Sequence, residues 1–255
     1  MAFFGNKVVR EDLKQALVDD VFHSVARRYD LMNDLMSGGL HRAWKDVLVT
    51  AVNPPRPKGR PGRLDDKTKQ PFALLDLASG TGDVALRIAD IGGPGTRITV
   101  ADINPEMLAV GRERAAKAGR DIAFIEANAE SLPLPDRAFD VVTIAFGIRN
   151  VVDRAAGLAE MVRVLKPGGR AVILEFSNPK SRFFKGLYHF YFRRVLPAIG
   201  GLLSKRSAYQ YLPDSVLEFP DRQSFMAMMA TAGFVDIVYH DLTCGIATVY
   251  VGTRP

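Results

Sequence analysis

Residues 74–83 read Leu-Leu-Asp-Leu-Ala-Ser-Gly-Thr-Gly-Asp, and no other run constrains the fold of the chain as tightly. A short apolar strand enters a turn of small residues and then a helix. Ala78, Gly80 and Gly82 alternate at spacing two. Side chains that small let a ligand lie against the backbone, and glycine takes backbone angles that other residues avoid. Twenty residues after Gly82, the run Arg97-Ile-Thr-Val-Ala-Asp102 ends in a carboxylate. In an open α/β sheet, the carboxyl end of the neighbouring strand is where an acid grips a ribose. Together these features imply an α/β domain that holds a nucleoside cofactor.

The choice of nucleoside turns on three acids. The dinucleotide fingerprint G-x-G-x-x-G uses its third glycine to pack helix on strand and seats a pyrophosphate on the helix N-terminus. Here that position is Asp83, which repels a pyrophosphate and suits a cationic ligand, and a further acid, Asp76, closes the strand. The pattern resembles motif I of class I S-adenosylmethionine (SAM) methyltransferases, whose cofactor carries a sulfonium and an amino group and no phosphate. A nicotinamide or flavin cofactor and a non-binding βα turn are the competing readings. The glycines fit all three, whereas Asp76, Asp83 and Asp102 together favour SAM.

At 255 residues the chain holds one α/β domain with additions rather than two full domains. A single cysteine, Cys244, excludes an intrachain disulfide and points to a reducing compartment. No apolar signal segment follows Met1. The net charge of +6 admits nucleic acid, anionic lipid or neither as a partner. Much of that charge sits in residues 53–71, a Pro/Gly-rich basic stretch that reads as a solvated flexible loop, with a lipid- or RNA-binding arm as the alternative.

Periodicity divides the chain into a helical extension over 1–52, that loop, and a catalytic domain over 72–255. Leu13, Leu17, Val21 and Val25 recur at helical spacing, and a second helix is expected over 41–50. Strands are expected over 72–78, 97–102, 122–126, 139–145, 170–176, 235–241 and 246–252, with helices over 82–91, 105–118, 153–165 and 221–232. Pro105 after Asn104 marks a helix start, Lys166-Pro-Gly-Gly169 a stop and turn, and Asp221 and Gly233 bracket the last helix. An insertion over 180–212 breaks the rhythm, with Phe183, Phe184, Tyr188, Phe190, Tyr191 and Phe192 set among Lys180, Arg182, Lys185, Arg193 and Arg194. Charges and Pro197 exclude a membrane span there. Either it is a helical lid with an aromatic core face, or its aromatics line a pocket for an apolar substrate while its cations face anionic headgroups.

Two further segments are rich in functional side chains. Tyr29–Trp44 combines the only tryptophan with Tyr29, His41 and several carboxamide or carboxylate groups. Phe146-Gly-Ile-Arg-Asn150 follows the fourth expected strand, at the crevice edge where ligands sit in such sheets. Arg149 and Asn150 bring guanidinium and amide donors to one point, although a loop arginine also serves as a surface salt bridge. No cluster has metal-ligand spacing, so no metal is expected.

Tyr-Asp-x-Met-Asn-x-x-x-Ser-x-x-x-His-x-x-Trp over 29–44 and Arg163–Ser177 resemble the two signatures of the ubiquinone/menaquinone biosynthesis C-methyltransferases. The likeness extends through Phe146–Asn150, Tyr211–Ser215 and Asp241–Ala247, so it covers nearly the whole chain. It implies a class I SAM-methyltransferase, Rossmann-like fold: a seven-stranded, mostly parallel sheet with helices on both faces, N-terminal helices and a helical lid. It also implies methyl transfer from SAM to a ring carbon of a polyprenylated quinol. Cofactor contacts carried over fall on Thr81, Asp102, Asn128 and Ala129, beside Asp76, Gly80 and Gly82 of motif I. Two departures stand out: the 53–71 insert is longer than the family's linker, and Ala145 occupies a place where the family has serine. For the acceptor, Arg149 is expected to stabilise a phenolate, Asn150 and Tyr29 to orient the ring oxygens, and His41, His23 or water to take the proton. A structural His41 is an equal reading. The expected partners are the quinol and the anionic inner face of the membrane from a cytoplasmic location, without nucleic acid. A homodimer or a complex of biosynthetic enzymes is compatible with the chain. The competing functions are methylation of another lipophilic acceptor and a non-catalytic RNA- or membrane-binding scaffold.

Overall fold

A computed structural model of the chain describes residues 2–4, 7–9, 34, 37–55, 71–179, 186, 215–216 and 218–255. Strands β1 (Ala2–Phe4) and β2 (Lys7–Val9) pair as an antiparallel ribbon, and helix α1 spans His41–Val52. Strands and helices then alternate as β3 (Ala73–Leu77), α2 (Asp83–Ile91), β4 (Arg97–Asp102), α3 (Pro105–Lys117), β5 (Ala123–Glu126) and β6 (Phe139–Ala145). A 3-10 turn at Ile148–Asn150 leads to α4 (Arg154–Val164) and β7 (Leu165–Phe176). Helix α5 (Arg222–Ala232) and strands β8 (Val235–Leu242) and β9 (Ala247–Thr253) complete the order.

The main sheet has seven strands in the order β5-β4-β3-β6-β7-β9-β8. Strands β3 to β7 pair in parallel, and β9 runs antiparallel between β7 and the edge strand β8. From β3 the chain goes outward to β4 and β5 and then returns to β6 on the other side. That reversal opens a crevice at the carboxyl ends of β3 and β6.

Residue pattern explains the layers. Along β7, Val172, Leu174 and Phe176 join the core shared with α1 and α2, while Ala171 and Ile173 join the core shared with α4 and α5. This is the period of two expected of a strand buried on both faces. Trp44, Leu48, Val49 and Val52 form the stripe by which α1 covers the first face. The helix starts follow local chemistry. Asn104 accepts from the Glu106 and Met107 amides at 3.0 Å each, ahead of Pro105, and Asp221 accepts from Gln223 and Ser224 at 3.0 Å each. Gly233 ends α5 at φ 108°.

Two departures from expectation matter. The β1–β2 ribbon lies within 1–52, expected to be helical, because Phe3, Phe4, Val8 and Val9 are strand formers. Strand β7 begins at Leu165 rather than 170, because Leu165 pairs with Phe139 before the register jumps to Arg170 opposite Val141. The Lys166–Gly169 turn is thus a bulge inside a strand. The helical stripe at 13–25, residues 56–70 of the basic loop, and the 180–212 insertion apart from Gly186 lie outside the described residues. Among the described residues no helix is long and apolar enough to cross a membrane.

Candidate functional site

Both crevice strands end on a left-handed residue, Ala78 after β3 (φ 47°) and Phe146 after β6 (φ 57°). A non-glycine residue there is strained, and such strain concentrates at functional sites. The two loops touch because Gly147 has no side chain. A Cβ added to it would stand 2.7 Å from the Ala78 Cβ and 3.1 Å from Ile144. Gly80 and Gly82 are also left-handed, at φ 59° and 74°, which folds the motif I turn back over the strand end.

The acids hold this turn in place. Asp102, at the end of β4, accepts from the Gly80 amide at 2.7 Å and from the Asn104 amide at 2.9 Å, which fixes its carboxylate against the glycine turn. Asp76 is buried beneath, accepting from Ser79 Oγ at 2.5 Å and Thr143 Oγ1 at 2.7 Å. Burial outweighs those bonds and pushes its pKa up to about 6. Thr81 Oγ1 accepts from Arg114 at 3.0 Å. Asn128 is exposed after β5, its side-chain oxygen taken by the Glu130 amide at 2.9 Å, and Ala129 is buried beside it.

Asp83 requires a correction. The expectation of a carboxylate offered to a cationic ligand fails, because Lys45 of α1 reaches it at 2.8 Å and Arg87 at 3.3 Å. Burial alone raises its pKa, but the two cations prevail and hold it below the usual carboxylate range. What faces the turn at this position is an ion pair. A turn of two left-handed glycines, an acid fixed at the end of the neighbouring strand, and a third-glycine position filled by that ion pair leave no free anion-binding helix end for a pyrophosphate.

Across the crevice, four separate segments converge. Trp44 packs against Phe146 and Phe176, with ring centroids 6.3 and 5.9 Å away, and those two rings lie 4.6 Å apart. Its Nε1 donates to Thr243 Oγ1 at 2.9 Å. The tryptophan therefore fastens α1 to the ends of β6 and β7 and to the C-terminal turn. Arg222 ties that turn down from the other side, donating to the Gly245 carbonyl at 2.9 Å and to Asp241 and Ser177 at 2.5 and 3.1 Å.

Arg149 is neither a surface salt bridge nor a lone cation. It is 2% exposed and donates through Nη1 to the Phe146 carbonyl at 2.6 Å and to Glu175 at 2.7 Å, with Glu175 fully buried on β7. Asn150 closes the 3-10 turn, its amide on the Gly147 carbonyl at 3.0 Å. His41 is buried at the start of α1, with Nε2 2.9 Å from Asp34 Oδ1. Arg42 and His41 hold Asp34 below the usual carboxylate range, so Asp34 is ionised and His41 Nε2 is the donor. Burial lowers the His41 pKa more than Asp34 raises it, so the ring is neutral near pH 7. Among the described residues the buried Nδ1 has no hydrogen-bond partner. Tyr29 and His23 lie outside the described residues.

Sequence reasoning did not single out Lys45, Asp34, Gly147 or Glu175 as functional. Glu175 carried a signal: a lone acid in the apolar run Val172–Phe176 requires a buried partner. Lys45 stands one helical turn after His41, on the same face of α1, but nothing local shows that it turns inward.

The model of the ubiE/COQ5 methyltransferase family matches residues 10–254. The ubiquinone/menaquinone biosynthesis C-methyltransferase UbiE of Geobacter sulfurreducens is 50% identical over 240 residues, covering 93% of this chain and 88% of its own. The protein of the same name from Bradyrhizobium diazoefficiens is 48% identical over 254 residues, with coverage of 98% and 96%. Among solved structures, a SAM-dependent methyltransferase of Thermotoga maritima aligns with TM-score 0.58 at 20% identity over 92% of this chain and 100% of its own. Phosphoethanolamine N-methyltransferase 2 of Haemonchus contortus, solved with SAM, aligns with TM-score 0.58 at 17% identity over 84% of this chain and 52% of its own. Identities this low show the fold alone.

Proposed function

Because the chain belongs to the ubiE/COQ5 methyltransferase family, we propose that its crevice brings SAM and a polyprenylated quinol together for methylation of a quinol ring carbon in ubiquinone or menaquinone biosynthesis. The reactions in view are demethylmenaquinol to menaquinol and a methoxy-polyprenyl-benzoquinol to its ring-methylated product. The observation that carries the reading is the meeting of the Trp44, Phe146–Asn150 and Phe176 segments beside the motif I turn.

Asp102 would take the ribose, Gly80, Thr81 and Gly82 would border the amino-acid end, and Asn128 and Ala129 would meet the base. When bound, SAM supplies an electrophilic sulfonium methyl. The residues of the chain must make the ring carbon nucleophilic and exclude water. A quinol hydroxyl titrates near 10, like tyrosine, so stabilising its phenolate is the main electrostatic task. Arg149 suits it because Glu175 and the Phe146 carbonyl set the guanidinium in one orientation. A guanidinium is not deprotonated in proteins, so the proton goes elsewhere. His41 is the acceptor of choice, since Asp34 fixes the tautomer and leaves Nδ1 with a lone pair. Asn150 and Tyr29 orient the ring oxygens.

Incubation with methyl-labelled SAM and reduced demethylmenaquinone is the direct test. Label on a ring carbon is expected, and label on oxygen or on a non-quinone lipid would overturn the assignment. The tail of such a substrate resides in lipid, and the basic aromatic composition of 180–212 suits peripheral contact with an anionic inner membrane face from the cytoplasm. Vesicles containing anionic lipid should retain the protein at low salt, and neutral vesicles should not. Equal retention by both would remove the electrostatic component.

A further inference from the structure

We propose that Lys45 is the counter-charge for the α-carboxylate at the amino-acid end of the methyl donor. The proposal rests on reading the crevice as a SAM site and adds a contact that neither signature segment nor motif I assigns. Lys45 projects from α1, is 5% exposed, and lines a small cleft together with Asp76, Ser79, Thr81, Asp83 and Phe146. A lysine is almost never this buried unless its ammonium is well partnered. That ammonium has three N–H donors, and among the described residues its one hydrogen-bond acceptor is Asp83, at 2.8 Å. Asp83 is shared with Arg87 at 3.3 Å, and Arg87 is itself paired with Asp46 at 2.5 Å. Of the two acids that line the cleft, Asp83 is thus matched by two cations and Asp76 is held by the Ser79 and Thr143 hydroxyls, while Lys45 keeps donor capacity.

The position suits a carboxylate for a second reason. The cleft lies at the N-terminus of α2, whose first-turn acid, Asp83, is countered by Lys45 and Arg87, so the helix end does not repel a further carboxylate. A ligand held by Asp102 at its ribose and by Lys45 at its carboxylate would lie along the motif I turn between them. Lys45 also stands one turn after His41 and next to Trp44. Binding of the donor's amino-acid end would thus fix the helix that carries the acceptor-side residues, and cofactor and quinol sites would be coupled through α1.

Calorimetry with two nucleosides separates this from a purely structural lysine. S-adenosylhomocysteine has the carboxylate, and 5′-methylthioadenosine lacks the whole amino-acid end. Lys45→Met should raise the Kd for the first by about 10- to 100-fold and change the second less than about threefold, while Lys45→Arg retains most affinity for both. The double variant Lys45→Met with Asp83→Asn, which leaves no new unpaired acid, should show the same selective loss. Equal weakening of both nucleosides in both variants would mean that Lys45 only clamps Asp83, and no weakening of either would exclude any contact; each overturns the proposal and leaves the SAM reading standing. Wild-type protein that binds neither nucleoside would overturn the SAM reading, and the proposal with it.

Discussion

Arg149→Ala is expected to abolish turnover and at the same time to destabilise the fold by about 3–5 kcal/mol, read as a Tm lower by roughly 10 °C or more. The cause of the second effect is Glu175, which is fully buried and would lose its partner cation. The Phe146 carbonyl would lose its partner at a residue already held at φ 57°. A loss of activity in this variant alone therefore says little about the reaction. The informative partner is the double variant Arg149→Met with Glu175→Gln. Glutamine keeps the side-chain oxygen that accepts the Phe176 amide at 2.8 Å and gives up only the longer 3.3 Å bond from the backbone amide of residue 149, and methionine fills the stem volume. Replacing both members of a buried pair by neutral groups of similar shape costs little, so stability should return to within about 1–2 kcal/mol of wild type. Turnover should stay down by about 10²–10³, the usual cost of removing one preorganised electrostatic donor. The affinity for S-adenosylhomocysteine should be unchanged within about threefold, because Arg149 is assigned to the acceptor. Recovery of turnover to near wild type in the double variant would make Arg149 a structural residue.

That pairing also marks where sequence reading reached its limit. Features governed by near neighbours were legible. The strand over 170–176, the Asn104 and Asp221 caps, the Gly233 stop and the strand-turn-helix at 74–83 all follow from residues within a few positions of one another, and the structure places them close to expectation. The position of Asp102 followed from strand-end logic in the same way. The failures concern partners far apart in the chain. Asp83 read as an available acid because Lys45 lies 38 residues earlier, and a surface salt bridge stayed open as a reading of Arg149 because Glu175 lies 26 residues later. The pattern of apolar residues does not report which polar side chains cross a sheet to meet. Trp44 drew attention for its rarity, yet its ring is a packing anchor whose indole nitrogen is tied to Thr243, 199 residues away. The start of β7 was misplaced because Pro167 and the two glycines signal a turn, and local signals cannot distinguish a turn between elements from a bulge within one.

Asp102 offers the second large effect. Asp102→Asn should raise the Kd for SAM by about 10²–10³, since a carboxylate that accepts both ribose hydroxyls makes two charge-assisted bonds and the amide can replace at most one. The variant also perturbs the turn, because the wild-type carboxylate accepts the Gly80 amide at 2.7 Å through one oxygen and the Asn104 amide at 2.9 Å through the other. Whichever way the new amide is placed, its NH2 group confronts a backbone N–H. Weak binding could then come from a displaced Gly80 rather than from a lost ribose contact. Comparing S-adenosylhomocysteine with its 2′-deoxy counterpart separates the two routes. In wild type, removing the hydroxyl should cost about tenfold or more in affinity. In Asp102→Asn the same removal should cost far less, because the acceptor is already compromised. A deoxy penalty of undiminished size in the variant would show that Asp102 serves the ligand only by shaping the turn, and a SAM affinity within about threefold of wild type would remove it from the cofactor site.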